Sequence, residues 1–249
     1  MSRPASPLRA TLAQMAVELR LTARRGENVL VTILIPAAVL LFFASVDVVP
    51  TGAERPVDVL LPGTLALAVI ATGLVNLGIA TAYERSYGVL KRLGGSPLTR
   101  TNLIAAKIGA VLVIEIVQAV LLIAIAWLLL DWQPGPNGSA ALFVTTLLLG
   151  TITFAGLGLL LAGALRAEAT LALANGLFLA TMLLGGIVVP LDRLPEPLDM
   201  ISGWFPGAAL AEGFGIALGA PGDPTLAFVI LAVWGIGAVG LTIRTFRWE

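Results

Sequence analysis

The 249-residue chain is 58% hydrophobic and 12% charged, and its mean hydropathy is +0.97. A soluble domain is about half apolar and a quarter charged, so this composition excludes an ordinary water-soluble fold. The net charge of zero gives no reason to expect a nucleic acid as partner. The absence of Cys excludes disulfides and thiolate chemistry, and the absence of His removes the commonest metal ligand and general base.

The N-terminal segment, residues 7–25, has the pattern of an amphipathic basic helix. Leu8, Leu12 and Leu19 recur at helical spacing, while arginines lie between them. We expect this helix to lie on the membrane surface, with an ordinary solvated leader helix as the alternative. Because no small-residue cleavage site closes the following apolar run, we expect the segment to be retained and not removed as a signal peptide.

Six apolar runs follow, each long enough to cross a bilayer, which takes roughly 20 residues. The sequence therefore predicts a single all-α integral membrane domain, residues 1–249, with six transmembrane helices. The predicted spans cover residues 29–46, 60–82, 103–130, 140–165, 170–189 and 225–243.

Residues inside and beside these spans refine the prediction. Gly73 and Gly78 indicate close helix packing of the second span, because small residues let helix backbones approach. Trp127 and Trp132 are placed as interfacial aromatics at the end of the third span. The short polar link at residues 166–168 predicts that the fourth and fifth spans form an antiparallel hairpin.

Between the fifth and sixth spans, residues 190–222 are rich in Pro and Gly yet keep apolar pairs at helical spacing. This pattern predicts two short helices at the membrane interface, a re-entrant hairpin that does not complete a crossing. Pro190, Pro195, Pro206 and Glu212 are candidates for an outer gate in this segment.

Lys and Arg are distributed unequally between the two sides of the predicted topology. Only Arg55 and Arg193, of 15 basic residues, fall on the side of the acidic loops. Because basic loops resist translocation, we expect both termini and the loop at residues 83–102 to be cytoplasmic. The hairpin before the last span then lies outside.

Four of the polar residues within the predicted spans are candidate site residues. Glu115 is near the middle of the third span, with Gln118 one turn further on the same side. A carboxylate at this depth costs about 2.5–3.5 kcal/mol, so Glu115 is either a substrate or proton site, or a neutral acid bonded to Asn76 or Gln118. Asn76 and Asn175 are candidates for helix packing or for the transport pathway.

The chain carries no nucleotide-binding loop. G-x-x-x-x-G-K-[ST] is absent, and neither Lys91 nor Lys107 follows a glycine. We therefore expect no ATPase activity and no bound cofactor in this chain.

The loop at residues 82–107 resembles the E-R-x-x-G-T-L-x-x-L-x-x-[ST]-P-[LIV] pattern of ABC exporter permeases of the type-2 class. Val89 stands where that pattern has Thr. The residues that fit the pattern are Glu84, Arg85, Gly88, Leu90, Leu93, Ser96, Pro97 and Leu98.

A second stretch resembles the segment that precedes the last span in the same family, G-x-x-x-P-[LI]-x-x-[LM]-P followed by a later aromatic-Pro. The whole chain most resembles bacterial drug-resistance permeases of the daunorubicin-efflux kind. The residues that carry the second match are Gly186, Pro190, Leu191, Leu194, Pro195 and Pro206.

The resemblance implies a coupling helix at residues 84–94, seated in a separate ATPase subunit that would hold ATP and Mg²⁺. It also implies a second permease chain, identical or homologous, that meets the second and fifth spans, and a bacterial cytoplasmic membrane. The side chains implied for coupling are Glu84, Arg85, Gly88, Leu90, Lys91, Arg92 and Leu93.

The resemblance further implies export of a hydrophobic or amphipathic molecule such as a drug, lipid or glycolipid. No side chain identifies the substrate, because one architecture serves several of them. Two alternatives remain. The basic loop could serve only to fix topology, or the chain could be a proton-coupled carrier or membrane scaffold in which Glu115 titrates.

Overall fold

The computed structural model describes residues 6–24, 26–46, 55–96, 98–185 and 202–246, and within these ranges the regular structure is entirely helical. The helices are numbered here in chain order. They are α1 (Pro7–Arg24), α2 (Gly26–Ser45), α3 (Pro56–Ser86), α4 (Val89–Gly94), α5 (Arg100–Leu129), α6 (Ala140–Ala164), α7 (Ala167–Leu184), α8 (Pro206–Ala217) and α9 (Thr225–Thr245).

Four of these helices, α3, α5, α6 and α9, are long and apolar enough to cross a membrane. They coincide with the second, third, fourth and sixth predicted spans. Two shorter apolar segments, Thr32–Ser45 and Ala167–Leu183, coincide with the first and fifth. The prediction of an all-helical membrane protein is therefore confirmed in the described part of the chain.

The central helix is α6, which packs against α3, α8 and α9. Its sequence has no charged residue, and its threonines direct their hydroxyls back to the carbonyls one turn earlier. Thr153 also lies 2.8 Å from Leu231 O of α9, and Thr242 of α9 lies 3.2 Å from Gly156 O. Hydroxyl-to-carbonyl bonds of this kind hold apolar helices together where no water competes.

The helix α3 is interrupted by a π-helical turn at Ala71–Asn76. Gly73 in this turn and Gly78 just after it lie against the backbone of α6, and a Cβ on Gly73 would come within 2.8 Å of Ala155 N. The predicted close packing of the second span is thus confirmed. Because π turns concentrate at functional positions in helices, this turn is a candidate functional position in α3.

The two predicted interfacial tryptophans differ in burial. Trp127 is 60% exposed on the outer side of α5, as expected for a side chain that faces lipid. Trp132 is only 5% exposed and packs in the main apolar cluster, so its indole is buried within the chain, and its position at the membrane interface stays a prediction. Trp132 is buried because the chain turns back after α5, where Trp132 N donates to Ala126 O at 3.0 Å.

The beginnings of α5 and α9 follow from local hydrogen bonds. Thr99 accepts a bond from Asn102 N at 3.2 Å, which satisfies one of the free amides at the start of α5. Before α9, both the hydroxyl and the amide of Thr225 donate to Asp223 Oδ1, and these bonds lower the pKa of that exposed carboxyl. The starts of α5 and α9 are therefore stabilised by side chains next to each helix in the sequence.

Candidate functional site

The N-terminal end of α5 carries a buried lysine with two carboxylate partners. Lys107 is 2% exposed, and its Nζ lies 2.7 Å from Glu84 Oε2 of α3 and 3.1 Å from Glu18 Oε1 of α1. A buried ammonium group is unfavourable unless charges of opposite sign surround it. We call these three residues the ionic junction, and it ties α1, α3 and α5 together.

Next to the ionic junction, Arg85 binds the end of another helix. Its Nη1 donates to Gly163 O at 2.6 Å and its Nη2 donates to Leu165 O. The last carbonyls of an α-helix lack partners within the helix and carry partial negative charge. Arg85 therefore satisfies the C-terminal end of α6 and links it to α3.

The predicted coupling helix at residues 84–94 is divided in the structure. Glu84 and Arg85 belong to the last turn of α3, and the chain then turns at Gly88, whose φ is +71°. Only α4, Val89–Gly94, forms a separate short helix. The predicted boundary was too early because Gly88 adopts the left-handed conformation that glycine tolerates, and this ends one helix before the next.

The remaining predicted coupling residues lie on two opposite faces of α4, one buried and one exposed. Leu90 is completely buried and packs with Leu103 of α5 and Phe246, with Leu93 against the edge of this cluster. Lys91 and Arg92 are exposed. The short helix therefore has one face fixed to the bundle and a basic face turned away from it, while Pro97 of the motif lies outside the described residues.

Beside α4 lies a groove of about 440 Å³ between α1 and the segment that leads into α5. We call it the α1–α4 groove. Its lining includes the small and apolar side chains Ala10, Ala13, Val17, Leu93 and Leu98.

Further along α5, Gln118 bonds to two neighbouring helices. Its amide oxygen accepts from Thr72 in the π turn of α3 at 3.1 Å, and its amide nitrogen donates to Thr32 O of α2 at 2.9 Å. Gln118 is 2% exposed, so both polar ends of its amide are satisfied inside the bundle. This geometry is that of a structural contact between three helices.

Glu115 does not bond to Asn76 or Gln118, the partners that the sequence suggested. Its Oε2 contacts the Thr151 hydroxyl of α6, and Glu115 is 1% exposed. The expected partners were wrong because Asn76 donates instead to Thr32 Oγ1 at 3.2 Å. Threonine was overlooked because it occurs throughout apolar helices and gives no distinctive signal.

The two asparagines of the predicted spans both lie on the outer surface of the chain. Asn76 is exposed on α3, and Asn175 is exposed on α7, where its amide donates to Leu171 O at 2.8 Å. Both therefore remain available to a neighbouring molecule.

Of the predicted outer-gate residues, the described part of the chain contains Pro206 and Glu212. Pro206 is buried at the first position of α8, where its missing N–H costs no hydrogen bond. Glu212 is exposed on the same helix. Pro190 and Pro195 lie outside the described residues, so the gate stays a prediction.

Sequence reasoning did not select Glu18, Lys107 or Thr151. A signal for Lys107 was present, because a lysine in the second turn of a long apolar helix requires a partner. The partners could not be read from the sequence, since Glu18 and Glu84 come from two other helices.

Known proteins with similar sequences identify the family of the chain. The family model of ABC-2 type transporters matches residues 10–218. An Escherichia coli K12 protein named as a multidrug ABC transporter permease, YbhR, is 27% identical over 143 residues, which cover 57% of this chain and 38% of that protein. A Bacillus subtilis protein named as a transport permease, YvfS, is 23% identical over 206 residues, covering 80% of this chain and 82% of that protein. The chain therefore belongs to the ABC-2 type transporter family.

Proposed function

We propose that the chain is one of two permease chains of an exporter that moves a hydrophobic or amphipathic molecule outward across a bacterial cytoplasmic membrane. A partner subunit would bind ATP and Mg²⁺ and hydrolyse the ATP, because this sequence has no phosphate-binding loop. Membership of the ABC-2 type family and the long apolar helices support this proposal.

In this proposal the chain crosses the membrane six times. Besides the four long helices, α2 and α7 contain 20 and 18 residues. At 1.5 Å per residue such helices span about 27–30 Å, which is close to the thickness of the hydrocarbon layer. The excess of Lys and Arg at the end formed by α1, α4 and the start of α5 favours a cytoplasmic position for that end.

The observation that carries the coupling proposal is the exposed surface formed by α4 and the α1–α4 groove. An apolar groove beside exposed Lys91 and Arg92 suits a partner helix that is apolar on one side and acidic at its edge. We assign this surface to the ATPase subunit.

The ionic junction and Arg85 would carry a displacement of that surface into the membrane. The surface rests on α1 and α4, the junction ties α1 to α3 and α5, and Arg85 ties α3 to the end of α6. Glu84 and Arg85 would thus act inside the permease, without touching the ATPase. Packed helices joined in this way move as one body.

The second permease chain would cover α3 and α7. Asn76 and Asn175 are exposed on these helices, and polar amides that face lipid are unfavourable. A partner helix with small or polar residues would shield these amides from lipid and could accept or donate further hydrogen bonds.

The proposal is tested by purifying the tagged chain with the ABC ATPase subunit that it retains and reconstituting the two in proteoliposomes. The fluorescent amphipathic drug daunorubicin serves as the transported probe. We expect accumulation that requires both subunits and Mg-ATP and that survives collapse of the proton gradient. Transport by the permease alone, driven by a proton gradient, would overturn the proposal.

A further inference from the structure

Glu115 lies in the middle of α5 in surroundings with little to stabilise a charge. The facing helix α6 has no charged residue in its sequence, and Glu115 is 1% exposed. Its Oε2 contacts the Thr151 hydroxyl, and among the residues that the structure describes none donates to its Oε1. Within the described ranges, the carboxyl group thus has one hydrogen-bond partner, and that partner is a hydroxyl.

The hydroxyl of Thr151 has a single hydrogen and two acceptors within reach. Its Oγ1 lies 2.7 Å from Leu147 O, one turn earlier in α6, and it also contacts Glu115 Oε2. On the same helix, Thr145 and Thr146 donate to the carbonyls of the preceding turn at 2.9 and 2.8 Å. If Thr151 does the same, the contact with Glu115 needs a hydrogen that the carboxyl supplies.

A neutral carboxyl group satisfies every donor in this arrangement. Glu115 donates to Thr151, Thr151 donates to Leu147 O, and only the carbonyl oxygen of Glu115 lacks a partner. Such a carbonyl is tolerated far better than a buried carboxylate with one hydrogen bond and no cation.

The nearest basic side chain along α5 already has its own partners. Lys107 lies eight residues away, about 12 Å along the helix axis, and is engaged by Glu18 and Glu84. The other charged residues of α1 that are described, Arg9, Arg20 and Arg24, are on a helix that meets α5 at its Lys107 end. Charged residues of the other helices packed against α5 lie near helix ends: Glu27, Asp58, Glu84, Arg85 and Arg244.

We propose that Glu115 is a proton-binding site that holds its proton at neutral pH. The carboxylic acid begins a hydrogen-bond chain through Thr151 to Leu147 O, and this chain joins α5 to α6. The site keeps its proton during transport, so it is a fixed contact between helices and not a proton carrier. This inference is independent of the ATPase and of the substrate.

The test is infrared spectroscopy of the whole chain in lipid nanodiscs at neutral pH. A buried carboxylic acid has a carbonyl-stretch band that carboxylates lack. We expect this band in the natural protein, its loss in E115Q, its shift in T151V, and little change in T151S, which keeps the hydroxyl. The control E212Q removes an exposed carboxylate on α8 and should leave the band unchanged.

Thermal unfolding in the same nanodiscs gives a second measurement. Gln has the shape of a neutral carboxylic acid and can donate to Thr151, so E115Q should fold and keep the unfolding midpoint of the natural protein. The proposal is overturned if no band is lost in E115Q, or if E115Q fails to fold or unfolds at a clearly lower temperature.

Discussion

Lys107 and Glu115 both lie on the buried side of α5, yet their surroundings differ in kind. Lys107 has two carboxylates from two other helices within 3.1 Å of its ammonium group, whereas Glu115 contacts one hydroxyl of α6. A buried group that stays charged needs opposite charges around it, while a group that can become neutral needs only a hydrogen-bond partner. The ion pairs of Lys107 hold three helices together, whereas the contact of Glu115 joins only α5 and α6.

The largest effect is expected from Lys107→Met. This change leaves Glu18 and Glu84 next to each other without the cation, and breaking a buried charge cluster in this way costs about 3–5 kcal/mol. The side chains of Glu18 and Glu84 are 14% and 19% exposed, so solvent partly screens their charges. The expected loss of unfolding free energy is therefore at the lower end of this range, about 3 kcal/mol. Chemical unfolding in detergent measures it. The control R92M removes an exposed cation, and an equal loss in both variants would argue against the ionic junction.

A smaller loss is expected from Arg85→Ala. The guanidinium donates to two carbonyls at the end of α6, and charge-assisted hydrogen bonds of this kind contribute about 1.5–3 kcal/mol. Arg85→Lys should recover only part of this stability, because an ammonium group cannot present the same planar pair of donors. If R85A unfolds like the natural protein, the contact with α6 has no stabilising role.

Glu84→Gln should cost less, about 1–2 kcal/mol, because Lys107 keeps Glu18 and loses one of its two charge-assisted hydrogen bonds. The matched change E18Q affects the longer contact and should cost less still. Unfolding of both variants under the same conditions decides the order. If E84Q unfolds like the natural protein, Glu18 alone stabilises Lys107.

The smallest effect is expected from Glu115→Gln, below about 0.5 kcal/mol, since the proposed neutral acid and the amide have the same shape and both can donate to Thr151. The same Glu-to-Gln change is therefore costly at residue 84 and almost neutral at residue 115. Side-by-side unfolding of E84Q and E115Q tests the contrast directly. Equal losses would show that Glu115 is charged as well.

Much of the helix pattern could be predicted from the sequence, because membrane helices depend on long apolar runs that are local in the chain. The predicted amphipathic helix at residues 7–25 corresponds to α1, Pro7–Arg24. The glycines of the second span also pack as expected, since small residues have few other uses in such helices.

The contacts of the candidate site could not be predicted in the same way. Glu18, Glu84 and Lys107 are distant in sequence and meet only when three helices have packed. The division of the predicted coupling helix depends on one backbone conformation, at Gly88, which a sequence pattern permits but does not require. As a result, Glu84 and Arg85 matched a family motif correctly and yet contact their own chain.

The most direct test of the proposed coupling surface is the affinity of the purified ATPase subunit for the chain in nanodiscs, compared between R92E and R55E. Arg92 is exposed on α4, whereas Arg55 is exposed at the start of α3 and pairs with Asp58. Both changes reverse one surface charge. The account predicts that R92E weakens binding at least tenfold, about 1.4 kcal/mol, while R55E leaves it unchanged. Equal affinities for the two variants would contradict it.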